Sequence, residues 1–190
     1  YSTFKDFTKP PTNSQWYPTN VSGTGGFETG NDVTDVKQMW WYLFAEHFKC
    51  KLDTNNSYSG SPICYDGYGD GNVDAKNYSF LTRASAIGNA NIIIIEGGTN
   101  DAWANAQIGE YKYNDWLEED LVYFRPACAK MINDIQLKNI GSRIIFMLNN
   151  GLKEEINSSV ETICNYYGIE LLKLNNISKK ASHPDVNGMR

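Results

Sequence analysis

Four consecutive isoleucines, Ile92 to Ile95, constrain this chain more than any other feature. Bounded by Asn91 and Glu96 and followed by two glycines, an unbroken β-branched run of this length reads as a strand buried on both faces, as in a parallel sheet. Parallel neighbours need crossover connections, and the chain supplies them. Asp115 to Lys138 carries apolar residues at Leu117, Leu121, Phe124, Cys128, Met131 and Ile135, which predicts a long helix that Pro126 kinks or splits. Arg143 to Leu148 reads as a second buried strand, Lys153 to Tyr167 as a helix, and Ile169 to Leu174 as a last strand. Upstream, Val33 to Phe48 predicts a helix with Val36, Trp40, Leu43, Phe44 and Phe48 on its apolar face. A short strand at Lys49 to Thr54 and a modest helix at Ser79 to Ile87 follow. Strands alternating with helices imply a three-layer α/β/α domain with a parallel sheet, extending over residues 1–190 without an internal linker.

Composition removes several function classes. The net charge is −5 with no Lys/Arg run, so the clustered basic face that a nucleic-acid partner requires is missing from the sequence. No apolar run approaches the ~20 residues of a membrane-spanning helix. Cys50, Cys64, Cys128 and Cys164 are far apart and form no C-x-x-C pair, which excludes zinc-ribbon and thioredoxin-type readings. Free, mostly buried thiols are expected in a domain of this size, with two disulfides as the alternative. The stretch Asp66 to Asn77 hints at a calcium loop. However, a register starting at Asp70 places Ala75 where Gly is needed and Leu81 where a bidentate Glu is needed, so it reads as a plain loop.

In open α/β sheets, ligands sit at the carboxyl ends of the strands, so the residues following each strand carry the functional argument. Gly97-Gly98-Thr99-Asn100-Asp101 follows the isoleucine strand, Asn55 to Ser61 with Gly60 follows the segment at 49–54, and His183-Pro184-Asp185-Val186-Asn187-Gly188 follows the last strand. These three pieces, in this order, resemble the SGNH (GDSL-like) hydrolase superfamily. Its fold is a three-layer α/β/α, flavodoxin-like sheet. The opening Tyr1-Ser2-Thr3-Phe4 is similar to the residues that follow the Gly-Asp-Ser nucleophile block in one branch.

The resemblance implies a serine-dependent carboxylic ester hydrolase working through an acyl-serine intermediate, with no metal or organic cofactor. Asn100 and Gly60 match its oxyanion donors, and His183 matches its general base. The nucleophilic serine is expected immediately before Tyr1, outside this sequence, so that the chain lacks its first strand and last helix on this reading. Ser2 is close by, but the family pattern places the nucleophile ahead of the tyrosine. Lys180 stands where the family has an aspartate three residues before the histidine. A carboxylate there would orient the imidazole and stabilise its cation; a lysine does neither, which leaves a backbone carbonyl, a water, another side chain or a bare Ser–His dyad. His47 reads as a structural or solvent-facing residue, and Asp101 as a brace for its loop. Trp16, Tyr17, Trp103, Tyr111, Tyr113 and Trp116 fall in or beside predicted loops, and tilt the expected partner towards a small-molecule or carbohydrate ester, specifically an acetyl ester. The alternative, favoured by Lys180, is a non-catalytic carbohydrate- or lipid-binding module on the same fold. A nucleotide or flavin binder has no use for the terminal His-Pro element. The even cysteine count and the aromatic loops are compatible with export.

Overall fold

The computed structural model describes residues 2–4, 16–17, 30–67 and 74–190. They fall into two compact units, one drawn from Tyr1–Ser59 together with Asn176–Arg190, the other from Gly60–Asn175.

The Gly60–Asn175 unit carries a three-stranded sheet of β1 (Ile92–Glu96), β2 (Arg143–Leu148) and β3 (Glu170–Lys173) in the order β1-β2-β3, with both pairs parallel. Ile92 pairs with Arg143 and Ile145 with Glu170. Along β1, Ile93 and Ile95 are fully buried while Ile92, Ile94 and Glu96 are half-buried, so one face of the isoleucine run is more deeply packed than the other. Consecutive strands that are also neighbours take right-handed crossovers, which put the connecting helices on one face. Those helices, α4 (Phe124–Lys138) and α5 (Glu154–Tyr167), contact each other. Phe124, Cys128, Ile132, Phe146, Val160 and Ile163 fill the core beneath them.

The long helix expected from 115 to 138 is a 3-10 turn, Glu118–Val122, followed by α4. The break lies at Tyr123 (φ −91°, ψ 142°), and not at Pro126. Pro126 sits in the first turn of α4, where a backbone N–H has no helical partner to lose. The amides of Phe124 and Arg125 are satisfied instead by the carbonyls of Gln107 and Ile108 at 2.8 and 2.9 Å.

The other unit holds α1 (Trp40–Phe48), and a hairpin of β4 (Lys179–Lys180) with β5 (His183–Pro184). The helix expected over Val33 to Phe48 is interrupted. A 3-10 turn at Val36–Gln38 is capped by Asp35, and Gln38 reaches back to the amides of Thr34 and Asp35 at 2.8 and 2.9 Å. Met39 is extended and fully buried before α1 begins. That break resets the helical phase, so the buried face is Met39 and Trp41, while Phe48, expected to be apolar-facing, is 60% exposed. The strand expected at Lys49 to Thr54 does not form. Lys49 is left-handed (φ 53°), and the residues after it are mostly exposed with no ladder among the described residues. Asn55 ends this segment, donating to the Ser2 carbonyl at 2.9 Å and accepting from the Ser57 amide at 3.1 Å.

Two further helices, α2 (Phe80–Ala84, capped by Ser79) and α3 (Thr99–Ala104), lie in the larger unit. All four cysteines are free thiols, with Cys50 exposed and Cys64, Cys128 and Cys164 buried, as the size argument anticipated. The central part of the Asp66 to Asn77 loop, residues 68–73, lies outside the described residues.

Candidate functional site

Gly60 and Asn100 belong to the Gly60–Asn175 unit, and His183 to the other. Within the larger unit, the end of β1 turns directly into α3 through Gly98, whose φ of 88° is a conformation that a side chain would strain. The turn places Asn100 in the first turn of a helix. Its Nδ2 donates to the Ser61 carbonyl at 2.9 Å. A carboxamide has two N–H donors, and one of those on Asn100 holds the loop that begins at Gly60. Gly60 itself is left-handed (φ 77°). Ser61 next to it is buried, and its hydroxyl donates to the Tyr78 carbonyl at 2.7 Å and accepts from Arg83 at 2.8 Å. Asn100 and the Gly60–Ser61 segment are therefore brought together.

Asp101 fixes Ile63 and Cys64, further along that loop. Its carboxylate is 1% exposed and accepts the amide of Ile63 at 2.9 Å, the amide of Cys64 at 3.2 Å and the thiol of Cys64 at 3.3 Å. Burial pushes its pKa up to about 6, against the pull of those donors. The same burial, with Asp101 beside it, drives the Cys64 thiol far above the range of a reactive cysteine. Cys64 is thus an inert packing residue, and the sequence reading of Asp101 as a brace holds.

His183 opens β5 after a two-residue turn in which Ala181 (φ 49°) and Ser182 (φ 60°) are both left-handed. This is the twist that two-residue hairpins demand, normally met by Asn-Gly. The turn folds the Ala181 carbonyl back to 2.9 Å from His183 Nδ1. A carbonyl only accepts, so the proton resides on Nδ1 and Nε2 is the basic nitrogen. Lys180, the residue paired across the hairpin from His183, forms an ion pair with Asp32. Asp32 also accepts the amide of Val186 at 2.9 Å.

Sequence reasoning missed Asn31. It is 1% exposed, and its Nδ2 lies within 3.0 to 3.2 Å of the carbonyls of Pro184, Lys180 and His183, while its Oδ1 accepts the amide of Val33 at 3.0 Å. No periodicity or motif marks an asparagine whose carbonyl partners are 149 residues or more away. Trp16 and Tyr17, expected among the ligand-facing aromatics, are core residues. Trp16 is stacked on the His183 ring with centroids 3.7 Å apart and planes 8° apart, and the Tyr17 hydroxyl donates to the Pro184 carbonyl at 2.7 Å. Tyr113 stacks on Tyr166 at 3.7 Å in the last turn of α5, the end that feeds the start of β3, so it lies away from the carboxyl ends of the strands. The hydroxyl of Ser2 accepts the indole N–H of Trp40 at 2.9 Å. Among the described residues, no three His, Cys, Asp or Glu side chains converge as metal ligands, and no helix is long and apolar enough to cross a membrane.

The family model for GDSL-like lipase/acylhydrolase matches residues 1–190. The chain belongs to this family. Membership places it among hydrolases and accounts for the parallel sheet with its strand-end loops. A protein from Bacteroides ovatus designated a GDSL-like lipase has a structure that superposes with a TM-score of 0.90 at 44% identity, covering 99% of this chain and 87% of that one. Another so designated, from Bacteroides uniformis, gives 0.90 at 40% identity, covering 99% and 85%. A family two carbohydrate esterase from Clostridium thermocellum, solved with cellohexaose, shares the fold with a TM-score of 0.57 at 14% identity, covering 90% of this chain and 55% of that one. No curated protein matches the chain. The GDSL-like chain thus has the three-layer α/β/α, flavodoxin-like fold expected from its alternating strands and helices and from the family resemblance.

Proposed function

We propose that this GDSL-like protein hydrolyses a carboxylic ester through an acyl-serine intermediate, with a serine immediately before Tyr1 as nucleophile and His183 as general base. The observation that carries this reading is the contact of the Ala181 carbonyl with His183 Nδ1. It sets the tautomer that a base needs, in place of the carboxylate that Lys180 cannot supply. In the first half-reaction the serine oxygen bonds to the acyl carbon as its proton passes to Nε2. The resulting oxyanion is met by the Gly60 amide and the second N–H of Asn100. When the tetrahedral species collapses, the ester C–O bond breaks and the proton leaves with the alcohol. Water then attacks the acyl-serine, giving its proton to the same nitrogen; the bond from the acyl carbon to the serine oxygen breaks, that oxygen takes the proton back from Nε2, and the acid departs. Each oxyanion donor contributes about 2.7–4 kcal/mol of barrier lowering.

The substrate class we favour is an acetylated carbohydrate. The likeness to a carbohydrate esterase supports it, as does the exposed ring of Trp103 on the helix that follows β1. Trp16 and Tyr17 no longer contribute to that argument, because both are buried.

The test is labelling of the full-length protein by a fluorophosphonate, with the modified peptide mapped and His183→Ala run beside it. Label on the serine preceding Tyr1, slowed about 10³-fold or more in the variant, is the expected result. Folded wild-type protein that takes no label would leave the non-catalytic binding module as the better reading.

A further inference from the structure

The imidazole of His183 is half-buried, and burial lowers its pKa to about 4, so an imidazolium is costly where the ring sits. A hydrolase that uses this ring as base must nevertheless form that cation in every turnover. In a carboxylate-bearing triad the acid offsets the cost. Here the residue at that position is a lysine committed to Asp32, and the Ala181 carbonyl brings a dipole but no charge. What lies flat against the ring is Trp16, at 3.7 Å and 8°, with Tyr17 edge-on at 6.3 Å. An indole face carries the negative lobe of a quadrupole, and a cation held over it within about 6 Å is stabilised, most of all when water is excluded. Trp16 is itself held in place. Its backbone N–H donates to Thr3 Oγ1 at 2.9 Å, and the ring is 7% exposed in the core with Met39, Trp41 and Met189.

We infer that Trp16 is a positioning residue for His183, its indole face stabilising the imidazolium. This rests on His183 being the base of the proposed reaction. Among the described residues, the charged groups around the hairpin oppose the cation or are engaged elsewhere. Lys179 opposes the cation. Asp32 is held by Lys180 and the Val186 amide, and Asp185 by the Ser178 hydroxyl and the Gly188 amide. Tyr17 is a neutral phenol whose proton is given to Pro184.

Replacing Trp16 by a small residue would change both the π face and the burial, which act on the pKa in opposite directions. Fluorination separates them, since each ring fluorine withdraws π density with little change in size. Site-specific mono-, di- and trifluorotryptophan at position 16 of the full-length protein should lower the His183 pKa stepwise, by about one pH unit across the series. The pKa is read from the imidazole proton resonances, with His47→Gln simplifying assignment. The acid limb of kcat/KM should move down in parallel, with kcat falling and KM unchanged. A pKa that stays level or rises with fluorine content overturns the inference, even if the serine is labelled by fluorophosphonate. Failure of labelling in protein that shows the graded pKa would instead remove His183's role as base, and with it the ester-hydrolase reading.

Discussion

Around Asn100 the restraints come from regular structure: the end of β1, the start of α3, and one buried carboxylate that gathers the next loop by its amides. Around His183 regular structure contributes a hairpin of two residues per strand, and the rest is done by side chains. Asn31 holds three carbonyls, Tyr17 holds a fourth contact on Pro184, and Trp16 covers the imidazole. The turn between the strands is built from Ala181 and Ser182, neither of which favours the left-handed conformation it adopts. On the proposed reading, a donor for an oxyanion is placed mainly by regular structure, whereas a base that must hold one tautomer and take up charge needs its surroundings built around it.

Three experiments bear on that contrast. The largest effect is expected from Asp101→Ala, which strands the amides of Ile63 and Cys64 in the core. At about 1–3 kcal/mol for each unsatisfied donor, it should cost about 3 kcal/mol or more of unfolding free energy, measured by urea titration. A loss below 1 kcal/mol would mean that the strand-end loop does not depend on its carboxylate.

The second experiment uses pH. The folded pKa of Asp101 is raised to about 6, so its contribution to stability is present below the unfolded value near 4 and is lost as pH rises through 6. That of His183 is depressed to about 4, so its contribution is present above its unfolded value near 6.5 and is lost as pH falls through 4. The two slopes oppose over one window. We expect wild-type stability to be nearly flat between about pH 4 and 6.5. Over that window Asp101→Asn should gain stability with rising pH and His183→Gln should lose it, each by up to about 2–3 kcal/mol. Parallel profiles for the two variants would refute the assignment.

The smallest effect concerns the turn. Ala181→Asn with Ser182→Gly supplies residues that adopt the left-handed conformation readily, and should raise stability by about 1 kcal/mol with the His183 ring undisturbed. If the pair destabilises, the turn is held by contacts of the present side chains and carries no relievable strain.

The same contrast separates what could be read from the sequence. Ile92 to Ile95, Arg143 to Leu148 and the helix at 153–167 announced themselves through β-branched runs and apolar spacing, and each formed within about one residue of its expected bounds. Gly60, Asn100, Asp101 and His183 stood out because they follow strands or occupy a short motif. The helix break at Met39 and the missing strand at 49–54 did not. A fully buried methionine and a left-handed lysine reflect demands made by the rest of the unit, which local spacing does not encode.

By itself, then, the sequence determined the parallel sheet, the strand-end position of Asn100 and the short motif that contains His183, because those depend on periodicity and order along the chain. Only the tertiary structure decided what holds His183. A carbonyl, an asparagine and an indole, with Trp16 and Asn31 far from it in sequence, meet there because folding brings distant segments into one core, and no local pattern records such a meeting.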